Sequence, residues 1–463
     1  APQQRGVGDA GGEGRSVEGH VHGRIVSPGT ADRRRPPPPA RRRPLARTIR
    51  PMASVCFYFQ VHQPYRLRDY GPRDGDPFYF DDALNQAILE KVAEKCYRPA
   101  TQLILDLVRR HEGRFRVAYA ITGTALEQMQ RWAPDVVDLF HELLATGACE
   151  LIAETSHHAM AFMHSTAEFD AQVERHRELM RTVFGVDPVT FRNTELVYSN
   201  HLADHVRGLG RFRAILCEGV DRLLAYRSPN YVYAPPGRLE EARVDAAAGP
   251  RLLLKKYSLS DDIAFRFGNR GWEQWPLTAD RFAGWVHQIN GDGHLCNLFM
   301  DYETLGEHQW ADTGIFEFLA HLPEAILETN PGENDFVLPR EAAERHAPVG
   351  EYDAPEPISW ADSERDLTAW LGNGMQRHAA RTLYALEHAV KQRHLEGDEH
   401  ILEDWRKLTT SDHVYYMSTK FWADGDVHAY FSPYDSPYQA YARFMNVLDD
   451  VRRRVGIPAH ALI

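Results

Sequence analysis

The sequence predicts an α/β fold in which parallel strands form a barrel with helices outside it, followed by a helical domain. Three observations support this prediction: short apolar runs are continuous rather than alternating, stretches with a helical period separate them, and such runs stop near residue 335. Continuous apolar runs are typical of strands that are covered on both faces, as in parallel sheets. A β/α barrel is the leading architecture, and a doubly wound open sheet is the alternative.

Strands and helices alternate from Met52 onward. The predicted strands are residues 54–62, 114–122, 148–154, 188–195, 212–218 and 294–301. The predicted helices between them include residues 84–111, 125–145 and 165–184, the last of which begins with Ser165 and Glu168 at the spacing of a capping box. Apolar stripes at helical spacing predict further helices at 367–393, 400–418 and 436–455.

The first 51 residues differ in composition from the rest of the chain. They hold eleven arginines, four acidic residues and a run of four prolines, a composition that cannot bury apolar surface and predicts disorder. Met52 directly precedes the first strand-like run, so we expect the native chain to begin there. We therefore predict a disordered Arg/Pro-rich leader at 1–52, a barrel domain at 53–335 and a helical domain at 336–463.

Charge and cysteine content narrow the possible partners. The whole chain carries −12 and the first 51 residues +7, so the remaining residues carry −19, which argues against nucleic acid or an anionic membrane surface as the main partner. The five cysteines are scattered and odd in number, so they predict neither a disulfide framework nor a zinc knuckle. Because no apolar stretch has membrane-spanning length and no signal sequence is recognisable, the chain is predicted to be cytoplasmic.

Polar residues follow the predicted strands at their carboxyl ends. They are His62 and Gln63, Thr122 and Thr124, Glu154 with His157 and His158, Glu195, Glu218, and Asp301 with Glu303. In a parallel barrel these ends share one face, where catalytic residues gather. Two such carboxylates, Glu195 and Asp301, are what cleavage of a glycosidic bond requires, one at the anomeric carbon and one to protonate the leaving oxygen. Position alone is equally consistent with structural ion pairs.

Several motifs in a fixed order resemble one enzyme family. They are FQVHQPYR (59–66), CELIAETSHHAMAF (149–162), FRNTELVYSN (191–200) and NLFMDYETLGEHQW (297–310). These motifs resemble the sequence regions of glycoside hydrolase family 57, the retaining α-glucan enzymes. LSDDIAFRF (259–267), AWLGNGMQ (369–376) and TSDHVYYMSTK (410–420) further resemble its α-amylase-like branch. The resemblance implies an incomplete seven-stranded β/α barrel, a (β/α)7 barrel, followed by a helical domain that helps to close the cleft.

The resemblance also implies roles for residues. Glu195 resembles the nucleophile and Asp301 the general acid/base of a double displacement that cleaves α-1,4-glucosidic bonds in starch- or glycogen-type glucans without a cofactor or metal. The implied substrate contacts are His62, Gln63, Glu154, His157, His158, Tyr198, Asp262 and Glu303, with Trp370 of the helical domain or Trp360 as its competitor. Because Asp301 must hold a proton near neutral pH, its pKa has to be raised, which Met300, Tyr302 and Glu303 could do.

Other interpretations of these residues remain open. The members of a metal cluster would be His157, His158, His164, Asp301 and Glu303. No H-x-x-x-H or H-x-D spacing is present among them. Asp261 and Asp262 either line the cleft or cap the next element. Among Trp272, Trp275, Trp285 and Trp310, one or two are expected to contact sugar and the others to pack.

Three alternative functions follow from these interpretations. A 4-α-glucanotransferase or an α-glucan branching enzyme would use the same carboxylate pair but pass the glycosyl unit to another glucan instead of water. A non-catalytic α-glucan-binding protein would keep the fold as a recognition module. A metal-dependent deacetylase would lose its activity with a chelator. The presence of both Glu195 and Asp301 argues against the non-catalytic binding protein.

Overall fold

The structure, a computed structural model, describes residues 52–329, 331–422 and 432–458. Apart from Met52, the predicted Arg/Pro-rich leader lies outside these residues. Ten strands lie within them: β1 (Ser54–Val61), β2 (Val117–Ile121), β3 (Cys149–Leu151), β4 (Thr190–Arg192), β5 (Ala214–Glu218), β6 (Val232–Ala234), β7 (Arg251–Lys255), β8 (Leu295–Asp301), β9 (Asp335–Phe336) and β10 (Gly350–Glu351).

Seven of the described strands follow one another around a ring in the order β8, β1, β2, β3, β4, β5, β7. Ladders of parallel pairs join five of the seven neighbours. Beyond the end of β3, Ala153 N donates to Thr190 O of β4 at 2.9 Å, and beyond β7, Lys256 N donates to Asn297 O of β8 at 2.8 Å. Strand pairing between β3 and β4 and between β7 and β8 is reduced to such contacts, so the ring is an incomplete barrel. The predicted fold class is confirmed, and the open-sheet alternative is wrong.

Strand β1 shows why the apolar runs are continuous. Phe57 and Phe59 point outward and pack under the surrounding helices, whereas Cys56 and Tyr58 point into the barrel. All eight residues of β1 are buried, so both faces of the strand need apolar side chains.

The sequence did not predict every strand. Strand β7 was missed because its three leucines, between one arginine and two lysines, form too short an apolar run. Strand β6 runs antiparallel to β7, and the two-residue strands β9 and β10 pair with β1 and β6. These last two strands extend the sheets past residue 335, where the sequence analysis placed the end of the strands. The domain boundary at 335/336 stays a prediction.

Helices accompany the strands of the ring, and the last of them packs Ala342 and Ala343 against the side chains inside the barrel. They are α1 (Asp82–Val92), α2 (Arg98–Arg110), α3 (Gly123–Trp132), α4 (Pro134–Ala145), α5 (Thr166–Phe184), α6 (Asn200–Gly208), α7 (Asp221–Leu224), α8 (Leu239–Val244), α9 (Tyr257–Asp261), α10 (Ala279–His287), α11 (Ile315–Glu328) and α12 (Pro339–Arg345). A π-helical turn, Ala93–Tyr97, joins α1 to α2. Ser165 caps α5 by accepting from Glu168 N at 3.1 Å, as the capping-box spacing predicts.

The chain after residue 366 is helical where the structure describes it. Its helices are α13 (Thr368–Leu371), α14 (Gly374–Ala385), α15 (Glu387–Leu395), α16 (Ile401–Leu408), α17 (Ser411–Tyr415) and α18 (Pro437–Arg454). Their apolar stripes meet around Trp405, Leu383 and Phe444, which are fully or almost fully buried. No helix among the described residues is both long enough and apolar enough to cross a membrane.

Candidate active site

Four strands of the ring bring polar side chains together at their carboxyl ends. Asp301 ends β8, and its register partner on β1 is Gln60. Gln60 Nε2 donates to Glu154 Oε1, just beyond β3, at 2.9 Å. Glu195 lies in the turn that follows β4. Residues far apart in the chain therefore meet on one face, as strand order in a parallel barrel requires.

His158 links the two glutamates. Its Nδ1 donates to Glu154 Oε2 at 3.0 Å and its Nε2 donates to Glu195 Oε1 at 3.2 Å, while Arg192 lies 3.5 Å from Glu154. Burial lowers the pKa of His158, but the hydrogen bonds to Glu154 and Glu195 outweigh it and raise that pKa to about 9. Burial raises the pKa of Glu154, but His158 and Arg192 lower it to about 2. The array therefore alternates in charge near neutral pH: carboxylate, imidazolium, carboxylate.

Glu195 is held by hydrogen bonds to both carboxylate oxygens. Trp360 Nε1 donates to Oε2 at 2.7 Å, and Ser411 Oγ donates to Oε1, the oxygen that His158 also contacts, at 3.3 Å. The Glu195 side chain is 18% exposed. Although burial raises the pKa of Glu195, the hydrogen bond and charge of His158, with Arg192, lower it below its usual 4.5. This carboxylate is thus ionised and fixed in orientation, but still accessible from solvent.

The backbone at this site adopts a conformation that side chains usually avoid. His158, Glu195 and Leu196 have φ angles of 52°, 58° and 50°. Such left-handed backbone conformations raise the free energy of the folded state, and they persist where neighbouring groups hold them in place. Here Ser411 N donates to His158 O at 2.9 Å and Trp360 N donates to Glu195 O at 3.3 Å. Two turns from the barrel are thus held by residues much later in the chain.

Asp301 differs from Glu195 in that no described residue donates a hydrogen bond to its carboxyl group. Its half-buried carboxyl makes no hydrogen bond or ion pair with any described residue. Burial and the negative charge of Glu195 raise its pKa to about 6, against the opposing effect of Arg192 and His158. Glu195, rather than the expected Glu303, is therefore the main neighbouring anion. A carboxyl group in this state can hold a proton in mildly acidic solution and release it when the local charge changes.

His62 completes the wall of the site beside His158. The two rings stack with their centroids 4.0 Å apart. His62 also lies 3.0 Å from Asp412 Oδ2 through Nε2 and 3.0 Å from Thr122 Oγ1 through Nδ1. Burial and the charge of His158 lower the pKa of His62. A neutral ring then donates to Asp412 and accepts from Thr122, which fixes its orientation.

Gln63 and Glu303 form a second polar group behind Asp301. Tyr97, at the end of the π-helical turn, donates to Glu303 Oε1, and Gln63 Nε2 lies 3.5 Å from both partners. Burial and the charge of Asp301 raise the pKa of Glu303 to about 8. Glu303 is therefore a buried carboxyl group that stays protonated near neutral pH.

Four of the sequence-predicted contact residues are paired elsewhere or buried. His157 directs Nε2 to Glu403 at 3.0 Å. Tyr198 is fully buried, and Asp262 pairs with Arg266 at 2.6 Å. Trp370 is only 1% exposed, because α13 turns its ring into the helical core. Its competitor, Trp360, is the tryptophan that reaches Glu195.

Sequence reasoning missed three residues that contact the site. Arg192 lies within FRNTE, and Ser411 and Asp412 lie within TSDH, so all three belong to motifs that carried the family resemblance. The signal was therefore present, but no chemical role followed from it. Among the described residues, no group of three or more His, Cys, Asp or Glu side chains is arranged to hold a metal ion.

Comparisons with known proteins show the family to which the chain is similar. A family model described as glycosyl hydrolase family 57 matches residues 56–355. The chain is 42% identical over 407 residues to a Methanocaldococcus jannaschii protein named "Putative alpha-amylase", covering 86% of this chain and 83% of that protein.

Two solved structures show the same fold. One is the 4-alpha-glucanotransferase of Thermococcus litoralis, with a TM-score of 0.54 and 15% identity; the match covers 87% of this chain but only 60% of that enzyme. The other is the family 57-type branching enzyme of Pyrococcus horikoshii, with a TM-score of 0.61 and 13% identity over 89% of this chain and 96% of that enzyme. The family match over most of the barrel, together with the 42% identical relative, shows that this chain belongs to glycosyl hydrolase family 57.

Proposed function

We propose that this protein is a retaining glycoside hydrolase that cleaves α-1,4-glucosidic bonds in starch- or glycogen-type glucans. Glu195 is the nucleophile and Asp301 the general acid/base. The observation that carries the proposal is the opposite state of the two carboxyls. Glu195 is ionised and bound by three donors, whereas the pKa of Asp301 is raised to about 6 and its oxygens contact no donor among the described residues. Double displacement requires such a pair.

The first half-reaction uses both groups together. Glu195 forms a bond to the anomeric carbon, the glycosidic C–O bond breaks, and the proton of Asp301 passes to the leaving oxygen. Trp360 and His158 keep the Glu195 carboxylate aimed during the attack, so little reorganisation is needed.

The second half-reaction reuses Asp301 as a base. Once Glu195 is an ester it carries no charge, so one of the two causes that raise the pKa of Asp301 is removed. Asp301, already deprotonated by the first step, then accepts a proton from water as the water oxygen attacks the anomeric carbon and Glu195 leaves. A glucan hydroxyl could replace that water, which would give the transferase or branching reaction.

Product analysis tests the proposal. Glu195→Gln should lower kcat on maltoheptaose on the order of 10⁴-fold or more, because no covalent intermediate forms. Asp301→Asn should lower it by about 10²–10⁴-fold, because the leaving oxygen receives no proton. Exposed Glu356→Gln is the matched control and should keep full activity.

The products also separate the candidate activities. Net new reducing ends indicate hydrolysis, whereas redistributed chain lengths at a constant number of reducing ends indicate transfer. Full activity of Asp301→Asn would contradict the acid/base assignment. Equal, negligible turnover by the wild type and Glu195→Gln, with glucan binding intact, would instead indicate a binding protein.

A further inference from the structure

A groove on the outside of the barrel lies between α10 and α11. It encloses about 670 Å³, within the range of roughly 300–1,000 Å³ that is usual for ligand sites. Its apolar part includes Phe267, Trp275 and Phe318, and its polar part includes Asp280, Glu317 and His321. We propose that this α10–α11 groove is a second carbohydrate-binding site that holds α-glucan chains outside the catalytic cleft. The choice of α-glucan as the ligand rests on the proposed function.

Trp275 is the aromatic platform of the groove. Its side chain is 42% exposed although it is large and apolar. Its backbone is held on both sides: Arg281 donates to the carbonyls of Gln274 at 2.6 Å and Pro276 at 3.2 Å, and Trp275 N donates to Trp272 O at 2.9 Å. An exposed indole on a backbone held in this way can cover the C–H face of a pyranose ring.

Helix α11 supplies a row of polar groups along the same groove. Glu317, His321, Glu324 and Glu328 follow one another at helical spacing, line the groove and are all exposed. The side chains of Glu317, His321 and Glu324 make no hydrogen bond or ion pair with any described residue. They are therefore available to the hydroxyl groups of a ligand, which need several acceptors and donors beside an apolar platform.

The charge and length of the groove select the kind of ligand. Three glutamates and Asp280 would repel an anionic polymer or nucleic acid, but they can accept hydrogen bonds from neutral sugar hydroxyls. The 14 residues of α11 extend over about 21 Å, so the groove suits a chain rather than a single sugar. One end, at Thr313 and Gly314, lies in the connection that follows Asp301.

Glycogen binding tests the groove directly. Each variant is made in the full chain with Glu195→Gln, so that glycogen is not consumed, and is measured by its retardation in native gels with graded glycogen. Trp275→Ala should weaken glycogen affinity roughly five-fold, the scale expected from loss of one aromatic stack. The double variant Glu317→Ala/His321→Ala should weaken it as well. The control variant, Tyr438→Ala, removes an exposed aromatic side chain on α18 and should leave glycogen affinity unchanged. Equal affinity of Trp275→Ala and Tyr438→Ala would overturn the proposal.

Kinetics in the active chain separate this site from the cleft. Trp275→Ala should raise KM for glycogen and leave kcat and KM for maltoheptaose unchanged. An equal rise of KM for both substrates would place Trp275 in the cleft and overturn the proposal. Dissociation of an oligomer by Trp275→Ala in sedimentation, with glycogen affinity unchanged, would make the groove a subunit contact and overturn it too.

The two proposals can fail separately. If the wild type cleaves maltoheptaose but glycogen binding does not depend on Trp275, the groove proposal fails alone. If the wild type turns over neither substrate but binds glycogen through Trp275, the catalytic proposal fails and the groove stands.

Discussion

At the scale of single residues, His158 determines how the two proposed catalytic carboxyls titrate. Its positive charge lowers the pKa of both Glu195 and Asp301, because it lies within the same buried array. The proposed mechanism requires ionised Glu195 and protonated Asp301. We therefore expect kcat/KM to fall as pH rises above about 6, where Asp301 loses its proton, and to fall again in acid below 4.5, where Glu195 gains one.

His158→Gln tests this coupling. Glutamine can keep a hydrogen bond but not the charge, so both pKa values should rise and both limbs of the profile should move to higher pH. The measurement is kcat/KM on maltoheptaose from pH 4 to 9, with thermal melting as a check of folding. A lower rate with an unmoved profile would show that His158 acts only in packing.

Glu303 gives a second prediction, on stability. Its pKa is about 8 in the folded protein and about 4.5 in the unfolded chain, so the folded state binds the extra proton between these values. The free energy of unfolding therefore loses a contribution as pH rises from 4.5 to 8. Glu303→Gln removes the titrating group and should be more stable than the wild type by on the order of 4 kcal/mol at pH 8, but not at pH 4.5.

The control for Glu303 is Glu333→Gln, which changes an exposed glutamate. Urea unfolding at pH 4.5, 6 and 8 gives the difference in the free energy of unfolding between each variant and the wild type at each pH. A stability difference for Glu303→Gln that stays constant with pH would contradict the raised pKa.

Single residues also show where sequence reasoning ends. Glu195 and Asp301 could be singled out because each follows an apolar strand in a pattern that a parallel barrel explains. The contacts of His62 with Asp412 and of Glu195 with Ser411 join residues 350 and 216 positions apart. Such pairs depend on how the helical region rests on the barrel, which local spacing does not encode. Local spacing also could not choose between Trp360 and Trp370, because the backbone conformation at each residue decides which indole ring reaches Glu195.

At the scale of elements, Glu403 helps to attach α16 to the barrel, beside the ion pairs of Arg406 with Glu168 and of Lys407 with Glu127. Glu403 on α16 accepts from His157, which follows β3, at 3.0 Å and from Arg175 of α5 at 2.7 Å. Burial raises the pKa of Glu403, but His157 and Arg175 lower it well below its usual range. His157, which the family resemblance assigned to sugar binding, therefore connects α16 to the barrel.

Glu403→Gln should weaken this attachment. Loss of the charge should lower the free energy of unfolding by about 1–3 kcal/mol, as for other hydrogen bonds to charged groups. Glu399→Gln, at an exposed position just before α16, is the control and should be neutral. Equal midpoints of the two variants in urea would show that the contact contributes nothing.

Elements were predicted well where apolar runs were long and poorly where they were short. Strand β1, with eight buried residues, and helix α5, with its serine cap, follow directly from the sequence. Strands β6, β9 and β10 have three or two residues, so pairing with a longer strand, rather than their own composition, makes them strands.

At the scale of the whole molecule, the barrel and the helices after it form one unit that extends from residue 50 to residue 463. Cores on the two sides are joined by the contacts of His158, Glu195 and Glu403. We therefore expect one unfolding transition in calorimetry, with the calorimetric enthalpy close to the van't Hoff value. Glu403→Gln should move that transition to lower temperature without splitting it. Two resolved transitions in the wild type would contradict the prediction.

The overall architecture was accessible from the sequence because continuous apolar strands have few solutions other than a covered parallel sheet. The incomplete closure of the ring was predicted only through the family resemblance. It depends on two junctions: Ala153 and Thr190 make the contact between β3 and β4, and Lys256 and Asn297 make the contact between β7 and β8.

The left-handed turns at His158 and Glu195 have a consequence for how the protein is made. Both backbone donors that hold them, from Trp360 and Ser411, lie after residue 355. A growing chain that has left the ribosome only to the end of the barrel strands contains Glu195 and Asp301, but lacks the groups that fix the first of them. During translation the proposed active site therefore acquires its final backbone contacts only after Trp360 and Ser411 have emerged.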